Sequence, residues 1–317
     1  MIEVRNLTKQ YGQRKAIDNI SFSINAGEIV GFLGPNGAGK TTCQRMLTTL
    51  LPIDKGQAFV AGFDVTKQQG EVRQHIGYVG QLGGADLPAT GRENLILSAK
   101  LFGMSHSQIS SKIDELAKSL DLNEILDRVV RTYSGGQKRR LEIALGIIHE
   151  PKILFMDEPT TGLDPQNRAN LWEHIRRLKE NGLTVFLTTH YLEEADALAD
   201  RLAIIDLGKI VAEGTPEELK RQISGEVITI HLKSEASADK FKCAIKDRDF
   251  VNEVQHNGVV VTLFVKDGAK AMPYLFEIMK SCGIESESLA LSAPSLDDVF
   301  LKKTGRALRD VKGGDTA

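Results

Sequence analysis

Apolar and polar positions partly alternate through IEVRNLTKQY (residues 2–11) and AIDNISFSIN (residues 16–25), the period-two pattern of strands with one buried face. GEIVGFLG at 27–34 differs: its apolar run is unbroken, as in a strand covered on both sides. KILFM at 152–156 and TVFLTT at 184–189 are of that second type, and a helical pattern over 40–51 follows the first buried run. Helical stretches separate these strands. The pattern predicts an α/β fold with an N-terminal antiparallel β region and a mainly parallel central sheet.

Between residues 81 and 151 the character changes. TGRENLILSAKLFGM, SHSQISSKIDELAKSLDL and the run opened by SGGQ repeat their apolar residues every three or four positions. A helical lobe over about 82–150, projecting from the sheet, is the expectation. LAIIDLGKIVAEGT then reads as two short strands around Leu207 and Gly208. TPEELKRQI has helix-start chemistry, with Thr215 as N-cap, Pro216 in the first turn and Glu218 closing a capping box.

A domain boundary is expected at Gly225, giving a first domain over 1–224 and a second over 225–306. Beyond it the pattern gives strand, helix, two strands joined at Asn257-Gly258, helix, strand. That βαββαβ order predicts a small α+β, ferredoxin-like domain. A last helical piece, SLDDVFLKKTGRALRD, precedes a tail over 307–317 expected to be flexible.

Composition narrows the function classes. Lys and Arg number 40 against 42 Asp and Glu, so nucleic-acid binding through a strongly basic surface is not expected. No apolar run reaches the roughly 20 residues of a membrane helix, and the start lacks a secretion signal's apolar core. Any membrane role then falls to a partner. Cys43, Cys243 and Cys282 form no CxxC pair, which argues for a reducing compartment and for packing roles. Modification of Cys43, close to the glycine-rich loop, is a candidate route to disturbing that loop.

The strongest chemical signal is GPNGAGKTT: Gly34, Pro35, Asn36, Gly37, Ala38, Gly39, Lys40, Thr41 and Thr42. Lying after a buried strand and before a helix, it reads as a phosphate-binding loop. Its glycines let backbone N–H groups wrap phosphate oxygens, Lys40 reaches the β- and γ-phosphates, and the Thr41 hydroxyl is a Mg²⁺ ligand. ILFMDEP ends a neighbouring buried strand with Asp157, placed to hold Mg²⁺ directly or through water. Glu158 is placed to orient or deprotonate an attacking water. His190 ends the next strand, within reach of a γ-phosphate. The start of the SGGQ helix offers a second anion site, with a serine cap, permissive glycines and a positive dipole end.

GPNGAGKTT, YVGQ, YSGGQKRR, ILFMDEPTTGLDP and TTH occur in the order and approximate spacing of an ABC-transporter nucleotide-binding domain, which the chain resembles over about residues 1–220. The resemblance implies a P-loop NTPase of ABC type that hydrolyses ATP with Mg²⁺. Two such domains pack head to tail, so that Ser134, Gly135, Gly136 and Gln137 contact the γ-phosphate held by the opposite subunit. Tyr11 resembles the aromatic that stacks on adenine. Gln81 resembles the residue coupling Mg²⁺ and attacking water to the helical lobe and membrane partner. Asp164 resembles an aspartate that communicates across the dimer, although by itself it reads as a helix cap. Lys138, Arg139 and Arg140 read as a solvated helix face. Tyr133 and Gly80 depart from the family's usual leucine and proline, with an effect expected on packing between lobe and core.

DRLAIIDLGKIVAEGTPEEL and PSLDDVFLKKTGR resemble the tails of daunorubicin-type drug-exporter ATPases. The expected role is therefore the ATPase of a two-component exporter, at the cytoplasmic face of the cell membrane. Its partners are a separate transmembrane permease and a second copy of itself or a close homologue. A soluble ABC clamp on ribosomes or nucleic acid, and an importer ATPase, are the alternatives. The cargo, whether drug, lipid or polysaccharide, is not legible.

Overall fold

The computed structural model describes residues 1–223, 225–246 and 248–305. These fall into two compact units, Met1–Glu213 and a second beginning at Gly214.

The first unit opens with β1 (Ile2–Tyr11) and β2 (Arg14–Ile24), antiparallel with Ile2 opposite Ile24. Next come the fully buried β3 (Ile29–Leu33) and α1 (Lys40–Leu47). The chain continues through β4 (Lys55–Val60), β5 (Phe63–Asp64), α2 (Gln69–His75) and β6 (Ile76–Val79). The antiparallel region is a sheet of order β2-β1-β4-β5.

The lobe holds α3 (Gly91–Leu101), α4 (His106–Ser119), a 3-10 turn at Val130–Thr132, and α5 (Gly135–Ile147). Thr90, Ser105 and Ser134 start the three α-helices with capping boxes. After it come β7 (Ile153–Asp157), α6 (Pro165–Glu180), β8 (Thr184–Thr189), α7 (Leu192–Leu198), β9 (Arg201–Asp206) and β10 (Lys209–Gly214).

The central sheet has the order β10-β9-β3-β8-β7-β6, and β9, β3, β8, β7 and β6 run parallel. Its register sets Leu33 beside Thr189 and Asp157 beside Thr188, so the ends of three buried strands meet at one place. One side of this sheet shares a core with the antiparallel region. Phe32 stands 4.9 Å from Phe22 and 4.8 Å from Phe186, ring centre to ring centre. On the other side, lobe residues such as Leu95, Ile113 and Tyr133 share one core with Leu154, Met156 and Val185. The lobe's interior is thus continuous with the sheet's, rather than separate from it.

The second unit comprises α8 (Pro216–Arg221), β11 (Glu226–Leu232), α9 (Glu235–Ile245), β12 (Val251–Asn257), β13 (Val260–Val265), α10 (Gly268–Cys282), β14 (Ser286–Ser292) and α11 (Leu296–Thr304). Its antiparallel sheet has the order β12-β13-β11-β14, the ferredoxin-like arrangement the βαββαβ pattern implies. Phe241, Leu275 and Leu263 lie in its core.

The division falls before Thr215 rather than at Gly225. The α8 helix packs against α11, burying Leu219, and Gly225 itself is wedged against β13, where an added Cβ would lie 2.0 Å from the Val265 carbonyl. The hairpin turn also shifts by one residue, because Asn257 already pairs with Val260 and leaves Gly258-Val259 as the loop. The expected tail over 307–317, and the end of the last helical piece, lie outside the described residues. Among the described residues no helix is long and apolar enough to cross a membrane.

Candidate functional site

The loop at 34–42 leaves β3 and enters α1. Its tightness needs glycine at two points: a Cβ on Gly34 would meet the Ile205 carbonyl at 2.2 Å, and one on Gly39, at φ +110°, would meet the Ala16 carbonyl at 2.4 Å. Pro35 and Ala38 are buried, Asn36 and Gly37 are exposed, and Thr42 is half-buried. Lys40 is buried at the centre of the loop. Its Nζ donates to the carbonyls of Gly34 (2.8 Å) and Pro35 (3.1 Å) and lies 3.7 Å from Glu158 Oε1. Burial lowers its pKa, against the pull of Glu158 and Asp157.

The strand register brings the carboxylates to that lysine. Asp157, the last residue of β7, is buried, and its Oδ1 accepts from Thr41 Oγ1 (3.0 Å) and Thr188 Oγ1 (2.5 Å). Glu158 follows in a left-handed backbone conformation, φ +47°, with its N–H held by the Thr188 carbonyl at 3.0 Å. Its Oε2 accepts from Gln81 Nε2 (3.3 Å) and Thr161 Oγ1 (3.2 Å).

His190 Nδ1 lies 3.2 Å from Glu158 Oε1 without the alignment of a formed hydrogen bond. Burial raises the Glu158 pKa, but His190, Lys40 and Thr161 together outweigh it and hold the carboxyl below its ordinary value. Lys40, Thr41, Gln81, Asp157, Glu158 and His190 therefore meet at one point.

Tyr11, at the end of β1, is 51% exposed, and Lys9 Nζ stands 5.7 Å from its ring centre. That ring is free to stack on a flat ligand. Residues 134–137 make no hydrogen bond to the 34–42 loop among the described residues. Ser134 accepts from the Gln137 N–H while the Gln137 side chain accepts from the Ser134 N–H, and Gly136 is buried against Asn167. Asp164 caps α6, bonding the N–H and side-chain amide of Asn167 at 2.9 and 2.6 Å. Those bonds lower its pKa.

Several residues differ from their sequence reading. Arg139, expected on a solvated face, is 6% exposed. It bonds the carbonyls of Pro159, Gly80 and Asp157 and the Glu142 carboxylate. The signal was present, since Arg139 lies three residues after buried Gly136 and four before buried Ile143, on one helical stripe. Tyr133 packs inside the lobe core and donates its hydroxyl to the Ile125 carbonyl.

Cys43 is fully buried and its thiol pKa is pushed up by that burial, so it is closed to modification. Cys282 packs against the second core, whereas Cys243 is exposed. Glu194, which no motif flags, is fully buried on α7, and burial raises its pKa despite neighbouring Thr189, Thr160 and Trp172. Beside the Gln81 segment opens a cleft of about 590 Å³, lined by Leu97, Leu101, Phe102, Leu145, Gly80 and Gly83.

Residues 17–161 match the ABC transporter family, and residues 214–304 match the DrrA1-3-like ATP-binding protein C-terminal domain. The chain is 39% identical to the daunorubicin resistance ATP-binding protein DrrA2 of Streptomyces coeruleorubidus, across 100% of this chain and 98% of the relative. It is 36% identical to the linearmycin resistance ATP-binding protein LnrL of Bacillus subtilis (98% and 100%). The Nod factor export ATP-binding protein I of Burkholderia lata shares 37% (98% and 98%). Among solved structures, a nucleotide-free ATP-binding cassette from an ABC transporter superposes with TM-score 0.63 and 28% identity, over 70% of this chain and 94% of that one. A dimeric, post-hydrolysis ATP-binding cassette bound to ADP and Pi gives TM-score 0.62 and 25% identity, over 68% and 98%.

Proposed function

The chain belongs to the ABC transporter ATP-binding family, and from that premise we propose that it is the ATP-hydrolysing subunit of a two-component exporter whose permease is a separate chain. The observation that carries the reading is the meeting of Lys40, Thr41, Gln81, Asp157, Glu158 and His190 at adjoining strand ends. Relatives named for drug resistance and Nod factor export support export over a soluble clamp or an importer.

In this reading the N–H groups of 34–42 and the Lys40 ammonium receive the ATP phosphates, and Tyr11 stacks on the base. Thr41, Asp157 and Gln81 offer hard oxygen donors, a set that fits Mg²⁺ shared with phosphate oxygens. Bound there, the ion would neutralise charge on the β- and γ-phosphates. Glu158, held as a carboxylate, takes the proton of the attacking water as its oxygen bonds the γ-phosphorus and the bond to the β-bridging oxygen breaks, releasing ADP and phosphate. His190 and Gln81 hold that water and the γ-phosphate in place.

A second copy, or a close homologue, supplies Ser134, Gly135, Gly136 and Gln137 over the same γ-phosphate. Two features support this: Ser134 and Gly135 stand exposed at the positive dipole end of α5, and a related cassette forms a dimeric assembly. The permease docks in the apolar cleft beside Gly80 and Gly83, touching the segment that carries Gln81, and so places the chain on the cytoplasmic face of the membrane.

The test is hydrolysis by the chain assembled with its co-expressed permease, with light scattering of the isolated chain under ATP. Hydrolysis that stops when Mg²⁺ is chelated, and an ATP-dependent dimer, are expected. Full-rate turnover by a subunit that stays monomeric would overturn the proposal.

A further inference from the structure

One side chain joins three segments that the proposed cycle needs to act together. Arg139 sits on α5, five residues beyond the Ser134 cap, with its guanidinium buried. Nε donates to the Pro159 carbonyl at 2.7 Å, and Nη2 to the Asp157 carbonyl at 3.1 Å. Nη1 donates to the Gly80 carbonyl at 2.8 Å and to Glu142 Oε2 at 2.8 Å. Gly80 directly precedes Gln81, and Asp157 and Pro159 flank Glu158. Glu142, one turn further along α5, neutralises the charge and fixes its place.

We propose that Arg139 is a positioning residue that locks the helix carrying residues 134–137 to the backbone on either side of Gln81 and Glu158. Engagement of one subunit's serine-glycine corner by a phosphate is thereby transmitted to that same subunit's own water-activating groups. This rests on the two-copy reading above and adds a route within each copy.

The physics favours a shared displacement. A helix moves as a rigid body, and a planar fork bonded to several backbone carbonyls resists independent motion of each. If α5 shifts when Ser134 meets a phosphate, the Gly80 and Asp157 carbonyls shift with it. Gln81 and Glu158, which share a hydrogen bond, keep their relation to each other as they move. Lysine can keep one or two of these bonds but not the fork.

The experiment uses the full chain with its permease, and compares Arg139→Gln, Arg139→Lys and Lys138→Gln for kcat, KM for ATP, the Hill coefficient and melting temperature. Arg139→Gln should lower kcat about 10- to 100-fold, the range of a small misplacement of reacting groups, with KM changed less than about threefold. The Hill coefficient should fall toward one. Arg139→Lys should recover part of kcat, and Lys138→Gln, which removes a neighbouring half-buried charge, should stay within about twofold.

A kcat for Arg139→Gln within about threefold of wild type, or a fall that only follows loss of ATP affinity and folded fraction, overturns the inference. Should Arg139→Gln not fold, Arg139→Lys decides: unchanged kcat and cooperativity overturn it. Glu158→Gln, run alongside, separates the two readings. If it hydrolyses ATP like wild type, the site assignment itself fails; if it is inactive while Arg139→Gln is normal, only the transmission route fails.

Discussion

Replacing Glu158 by glutamine removes a charge and a base while leaving the shape of the side chain. Glutamine keeps the acceptor oxygen that serves Gln81 and Thr161, so the local fold should hold. Two electrostatic changes oppose each other. The carboxylate loses its attraction to Lys40 at 3.7 Å, about 4 kcal/mol at an effective dielectric constant near 20. The neutral amide escapes the cost of holding a charge away from water, which is of similar size, and the net stability change should stay within about 1 kcal/mol.

Chemistry changes far more. Without a group to take the water's proton, turnover should fall about 10²- to 10⁴-fold, or about 3–5 kcal/mol in the barrier. ATP binding should hold or tighten, because one negative charge no longer faces the phosphates. The assay is phosphate release at saturating Mg-ATP beside equilibrium titration with a fluorescent ATP analogue. Turnover within about tenfold of wild type would refute the assignment of Glu158 as base. So would an affinity loss equal to that of a lysine deletion.

Lys40→Ala should weaken ATP binding about 10- to 100-fold, the range of a lost charged hydrogen bond, as read by the same titration. Tyr133→Phe leaves the Ile125 carbonyl without its donor and should cost about 1–3 kcal/mol in denaturant unfolding. Glu194 has a folded pKa above its ordinary 4.5, so its contribution to stability is full below that value and is lost as pH rises through the folded pKa. Glu194→Gln should therefore flatten the decline of melting temperature as pH rises above 4.5, measured by scanning calorimetry. An unchanged slope would show that Glu194 is not the group responsible.

The buried strands, the phosphate loop and the βαββαβ order were legible because each is local. An unbroken apolar run, a fixed glycine spacing and a turn residue announce themselves within a few positions. What stayed hidden depends on neighbours distant in sequence. Lys138, Arg139 and Arg140 look alike as charges, and only the 3.6-residue stripe through Gly136 and Ile143 singles out Arg139. Glu194 follows Glu193 in an ordinary acidic helix start, yet Glu194 alone is enclosed, by Trp172 and Thr160. The second unit's beginning was missed because α8 has its own capping signals, and nothing in them tells which core it will join.

The turn at Glu158 has a consequence for what this pair of acids can become. Successive residues of an extended strand face opposite sides, so two neighbouring carboxylates would normally part company. Reversing φ immediately after Asp157 turns the second one back toward the first. The order Asp then Glu is therefore a matter of geometry: exchanging the two would put the shorter acid on the turn and the longer one against Thr41. A β-branched residue at 158 would strain the bend before any question of proton transfer arose.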